Sequence, residues 1–137
     1  MKRIAAFVIC VSILFALVGC GSTAGTQKPF KNLKSSDIET ATVRLLPPGT
    51  TIQIDETDKL VRLLRKVVMA ERSAPDTDTL SGQLVIYELD LSDGSHKEIQ
   101  VYYPYIVIDG ISYKAEYRPC EALNSYANTL MEKYQDS

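Results

Sequence analysis

A chain of 137 residues, 45% hydrophobic and 23% charged, has the length of one domain and enough apolar content for a core. Its formal charge of −2, from 15 basic and 17 acidic residues with no block of one sign, gives no reason to expect nucleic acid or an anionic bilayer as partner. With one histidine and three cysteines, zinc-ligand spacing is absent, and neither a metal nor a cofactor is expected.

The chain opens with Lys2 and Arg3, an apolar run over 4–18, and then Leu17-Val18-Gly19-Cys20. That is the order of a secretory signal, and a run of fifteen residues, apolar but for Ser12, falls short of the roughly 20 that a bilayer-spanning helix needs. The four-residue ending resembles the lipobox of bacterial lipoproteins. The resemblance implies cleavage between Gly19 and Cys20 and a diacylglycerol thioether on the Cys20 sulfur, with the mature chain held at the extracytoplasmic face of the cell membrane. One acyl chain anchors marginally and two or three firmly, because each buried methylene contributes about 0.8 kcal/mol. Residues 1–19 are thus read as a signal peptide, and loss of Lys2 and Arg3 takes the formal charge from −2 to −4. Cys10 leaves with the signal and Cys20 carries lipid, so Cys120 is the one thiol left in the folded part and no internal disulfide can form.

Residues 20–34, rich in Gly, Ser, Thr and Lys from Gly21 to Lys34 with little apolar content, read as a flexible tether, and 35–137 as a single domain. β-Branched residues at Ile38, Thr40, Thr42 and Val43 predict a strand over 38–46, stopped by Pro47-Pro48-Gly49, and 51–54 predicts a second. Leu60, Val61, Leu63, Leu64, Val67 and Val68 recur at helical spacing behind a cap at Asp55 or Thr57. Lys59, Arg62, Arg65 and Lys66 fall between them and read as the solvated face. A polar loop over 71–81 follows. Strands are then predicted over 83–90, 97–102, 105–108 and 111–116. They are separated by Ser92-Asp93-Gly94, Pro104 and Asp109-Gly110, the last being the strongest two-residue hairpin signal. Pro119 opens a final helix carrying Leu123, Tyr126, Ala127, Leu130, Met131 and Tyr134. The sum is an α+β fold in the order ββαββββα, an antiparallel sheet of about six strands with both helices packed on one face.

Residues able to carry chemistry are few. His96 lies beside a turn and has no nucleophile or metal partner fixed by sequence. Cys120 stands in the first turn of a helix beside Arg118, where a thiolate is favoured, but it shares a face with Leu123, Ala127 and Leu130 and reads more simply as a small buried hydrophobe. A small thiol-dependent enzyme or redox protein using Cys120 is therefore the alternative function. Asp90, Asp93 and Gly94 match a calcium loop only loosely, and a hairpin turn explains them better. No pair among Asp90, Asp93 and Glu98 is selected by the sequence for acid–base work. Tyrosine is the conspicuous enrichment, with eight in the chain and no tryptophan. Tyr102, Tyr103 and Tyr105, with the loop around Asp76 and Asp78, are the candidate contacts for a cell-surface protein or glycan, since tyrosine offers an apolar ring and a polar tip.

Segments through the domain resemble a family of uncharacterised lipoprotein domains of Clostridia and their relatives. They include Pro29-Phe30-Lys31-Asn32-Leu33, Ala41-Thr42-Val43, Gly82-Gln83, Val107-Ile108-Asp109-Gly110 and Pro119-Cys120-Glu121-Ala122-Leu123-Asn124-Ser125-Tyr126. They also resemble extracytoplasmic segments of membrane metallopeptidases of the antibiotic-sensing type. The resemblance implies a sensing or docking module and brings no catalytic residue with it. A non-catalytic binding or sensing domain is the expected function.

Overall fold

The computed structural model describes residues 26–73 and 82–137. The signal segment, the Gly19-Cys20 junction, Asp76 and Asp78 lie outside the described residues.

After a single 3-10 turn at Ser35–Asp37, β1 runs over Ile38–Leu46 and β2 over Thr50–Gln53, followed by α1 at Thr57–Arg65 and β3 at Met69–Arg72. Then come β4 at Leu84–Leu91, β5 at His96–Tyr102, β6 at Tyr105–Ile108, β7 at Ile111–Ala115 and α2 at Tyr117–Gln135. The strands form one sheet in the order β2-β1-β4-β5-β6-β7-β3, and every neighbouring pair is antiparallel. The fold is α+β with two helices on one face, as expected, and with seven strands rather than about six.

Alternation explains which face is covered. Val43, Tyr87 and Ile99 stand opposite one another across β1, β4 and β5, and Val101 meets Ile106. All five are buried and belong to one core with Leu60, Val61 and Leu64 of α1 and with Leu123, Tyr126 and Ala127 of α2. The intervening residues of the same strands, among them Arg44, Glu88, Gln100 and Tyr102, point to the other side. Tyr87 is a large fully buried polar side chain, and its hydroxyl donates to the Leu123 carbonyl at 2.5 Å, tying the middle of the sheet to α2. Burial holds the Tyr87 phenol protonated far above the ordinary range.

The turn chemistry behaves as the residues dictate. Asp109 and Gly110 both take positive φ, at 50° and 85°, as the two-residue turn joining β6 to β7 requires. Between β4 and β5, Gly94 has φ 87°, and Asp93 Oδ1 accepts from the Ser95 amide at 2.8 Å. Pro119 sits at the third position of α2, still within the turn whose amides have no partner inside the helix.

Two expectations are corrected. The helix expected to continue to Val68 ends at Arg65, and Met69–Arg72 becomes β3. Only Met69 of its four residues is buried, so the segment carries no alternation. It is a strand because β7 offers an open edge, where Met69 pairs with Ala115 and Arg72 with Tyr113. The second correction concerns the tether. Its described part, residues 26–34, is docked on the domain: Gln27 and Met69 exchange backbone hydrogen bonds of 2.7 and 2.9 Å, so Gln27 covers the outer edge of β3. Phe30 is 3% exposed within the core, Leu33 packs against that core, and Arg65 Nε donates to the Leu33 carbonyl at 2.7 Å. A bulky ring three residues past the bridge turns a polar-looking stretch into a clasp.

Truncating the clasp ring, Phe30→Ala, is expected to lower the unfolding free energy by about 3 to 5 kcal/mol in a denaturant titration and to open 26–34 to limited proteolysis. Tyr87→Phe is expected to cost about 1 kcal/mol. Tyr126→Phe is expected to cost nothing, because the Tyr126 hydroxyl is buried without a hydrogen-bond partner among the described residues.

Candidate functional site

The helices leave the opposite face of the sheet uncovered, and that face has two chemically distinct ends. Toward the start of β4 it is apolar: Leu46, Leu84, Tyr102, Tyr105 and Val107, with Gln100 and Gly82, line an open cleft of about 350 Å³. Tyr102 and Tyr105 are cross-strand partners on β5 and β6, and Gln100 stands opposite Val107. Tyr102 is half-buried with its neighbours, whereas Tyr105 is 7% exposed and forms the floor more than the rim. Gln100 Nε2 donates to Glu98 Oε1 at 2.7 Å, which orients the amide of this cleft-lining residue. The arrangement offers an apolar hollow with one oriented amide and a phenol, suited to a ring or an apolar side chain carrying one donor.

Toward the other end the face is acidic. Glu88 and Glu98 stand directly opposite each other on β4 and β5, and Asp90 faces His96. Asp90 Oδ1 lies 2.8 Å from His96 Nδ1, and Asp90 Oδ2 accepts from Thr40 Oγ1 at 2.7 Å. The hydrogen bond that His96 donates to Asp90 holds the imidazole above its ordinary pKa of 6.5, with the nearby charges of Asp90, Glu88 and Asp109 adding to it. The bonds from His96 and Thr40 hold Asp90 below 3.8. The pair is solvent-exposed, with side-chain exposures of 50% and 61%, so it is an electrostatic ornament of the surface rather than a buried acid–base device.

Of the three tyrosines expected as contacts, the fold brings Tyr102 and Tyr105 together and sends Tyr103 elsewhere. Tyr103 lies in the β5–β6 turn, 51% exposed, with its ring edge-on to Tyr117 of α2 at a centroid distance of 4.9 Å. Strand alternation stops at Tyr102, so the turn and not the pleat sets where Tyr103 points. Tyr87 and Tyr126 fill the core and Tyr113 packs against it. The cleft residues Leu46, Leu84, Gln100 and Val107 were not singled out by sequence. A signal for them existed: Leu84-Val85-Ile86-Tyr87 and Tyr105-Ile106-Val107-Ile108 are unbroken apolar runs, so both faces of β4 and β6 carry hydrophobes.

Cys120 is 1% exposed within the core, and burial pushes its thiol up to about 11. Desolvation therefore outweighs its place in the first turns of α2, and the nucleophilic thiolate is disfavoured at neutral pH. His96 is on the uncovered face and Cys120 is packed on the covered one, so the sheet separates the two. Asp93 is committed to the turn, accepting from both the amide and the hydroxyl of Ser95, and these bonds lower its pKa. Among the described residues no group of three or more His, Cys, Asp or Glu side chains is placed to hold a metal ion. No family model, curated protein or solved structure matches the chain.

The raised His96 and lowered Asp90 give the pair a defined pH window. His96 contributes fully below its unfolded value of 6.5 and loses its contribution as pH rises through the raised folded value. Asp90 contributes above 3.8 and loses its contribution as pH falls through its lowered folded value. Stability measured by denaturant titration between about pH 5 and 9 is expected to decline slightly on the alkaline side, and His96→Gln or Asp90→Asn to flatten that decline.

Proposed function

We propose that the chain is a lipid-anchored extracytoplasmic lipoprotein whose domain is a non-catalytic binding module, taking a cell-surface protein or glycan on the uncovered face of the sheet. The observation that carries the reading is the cleft between Leu46, Leu84, Tyr102, Tyr105 and Val107, an apolar hollow on a face that neither helix covers. A sheet face left open by its own helices is ordinarily polar throughout, and a hollow with a 2.7 Å bond orienting its one amide is what a recognition surface requires. The lipobox-like Leu17-Val18-Gly19-Cys20 supports attachment at the cell membrane, and the resemblance to uncharacterised lipoprotein domains points to sensing or docking. Burial of the Cys120 sulfur weighs against thiol chemistry as the alternative.

Capture of a partner from native membranes is the direct test. Tyr102→Ala is expected to weaken capture by at least about tenfold, the size typical of a central aromatic contact, with denaturant unfolding close to that of the parent. Capture undiminished by both Tyr102→Ala and Val107→Glu sinks the assignment of this face. Mass spectrometry of the mature protein checks the anchor separately, and an unmodified Cys20 thiol ends it.

A further inference from the structure

Folding gathers positive charge that the linear sequence disperses. Residues 27–34 and 59–68 are separated by 24 positions, hold seven cations between them, and contain no carboxylate. The fold lays the first segment beside the second. Arg65 Nε is bonded to the Leu33 carbonyl at 2.7 Å, and Gln27 is paired with Met69, three residues past Lys66. Lys28, Lys31 and Lys34 from one segment and Arg62, Arg65 and Lys66 from the other are all exposed. The seventh cation, Lys59, turns toward α2, where its Nζ lies 5.1 Å from the Tyr126 ring centre. The ion pairs among the described residues are elsewhere, His96 with Asp90 and Lys97 with Asp109; Asp37, whose carboxylate accepts from the Lys34 amide at 3.0 Å, and Asp58 in the first turn of α1 flank the six cations without an ion pair to any of them. On a chain that carries −4 once Lys2 and Arg3 are removed, this is a strong local reversal of sign.

The patch also stands at the root of the tether. The first paired residue is Gln27, and seven Cα steps separate it from Cys20, a reach of at most about 25 Å. Lipid on Cys20 would therefore let the six cations approach the bilayer surface to within a Debye length of about 10 Å at 0.1 M salt, where their field acts on it. We infer that the surface formed by residues 28–34 and the outer face of α1 docks on an anionic phospholipid bilayer, acting as the second membrane signal beside the lipid. The orientation part of this inference rests on the lipid-anchor reading; the affinity of the patch for anionic lipid does not. Because α1 and the open cleft are on opposite faces of the sheet, docking through α1 turns the Tyr102 and Tyr105 cleft away from the membrane, where a partner can reach it. A polybasic surface adds roughly fivefold in affinity per cation near an anionic membrane.

The test uses residues 20–137 carrying Cys20→Ser, which retains the whole described sheet, both helices and the core, and removes the lipid contribution. Cosedimentation is measured with vesicles of phosphatidylcholine alone and of phosphatidylcholine with phosphatidylglycerol. Binding is expected only to the anionic vesicles and is expected to fall steeply with added salt. Arg62→Gln with Lys66→Gln should weaken it by on the order of thirtyfold, and the separate triple variant Lys28→Gln, Lys31→Gln, Lys34→Gln by on the order of a hundredfold. Arg65 is left in place because it holds Leu33. Tyr102→Ala, on the far face, should bind these vesicles like the parent, so failure of the cleft and failure of the patch are read apart. Equal binding to neutral vesicles, or binding to anionic vesicles that both sets of substitutions leave intact, overturns the inference. So does soluble polyphosphate competing as well as the bilayer phosphate for phosphate, which would assign the patch to a soluble polyanion.

Discussion

Burial of one face of β1, β4 and β5 beneath the two helices is the constraint from which the remaining features follow. Side chains on a strand alternate, so a slip of one residue that set Val43 of β1 opposite Glu88 of β4 would bring Glu88 to the core face beside Val43 and send Tyr87 to the wet side. The Tyr87 hydroxyl adds direction to this burial, because its one good acceptor is the Leu123 carbonyl on α2. With that register held, every even-numbered residue of β4 and β5 is committed to the uncovered face, and the acidic end and the apolar end of that face are both set at once.

The connection that carries the chain from β2 to β3 has the larger consequence for how the molecule is presented. β2 and β3 are the two outer strands, and α1 lies in the link between them, crossing the covered face from one edge of the sheet toward the other. The arrival of β3 beside β7 creates a new outer edge, and Gln27 closes part of it. Phe30 then has a place in the core and Leu33 a partner in Arg65. A helix whose basic residues look like an ordinary wet face thus acquires three lysines as neighbours, and this cationic surface and the apolar cleft stand on opposite sides of the sheet.

Exposure decides which of the polar features have energetic weight. The Asp90 and His96 pair has good geometry but stands in water, so it shapes the charge of the surface more than it stabilises the fold. Cys120 is the reverse case. Its place early in a helix beside Arg118 favours the thiolate, yet near-complete burial prevails and the thiol stays protonated.

Local chemistry was legible wherever a residue's own preferences and nearest neighbours suffice. Asp109-Gly110 states its turn because few other residues accept positive φ twice in succession. Leu60, Val61 and Leu64 state a helix with one covered face by their spacing, and the alternation in β1 states a strand with one. The lipobox-like run before Cys20 is equally local and remains a matter of sequence alone. Other features depend on partners distant in the chain. Met69–Arg72 is a strand because β7 has a free edge, Gln27 and Phe30 are ordered because β3 and the core are there to receive them, and Tyr103 leaves the pleat because a turn intervenes. By itself the sequence determined both helices, six of the seven strands, their covered stripes and the fold class, since these follow from periods of 2 and 3.6 residues. Only the tertiary structure decided that Tyr102 meets Tyr105, that Cys120 is sealed away and that six cations share one surface, because long-range strand pairing and helix packing bring together residues that no local period relates.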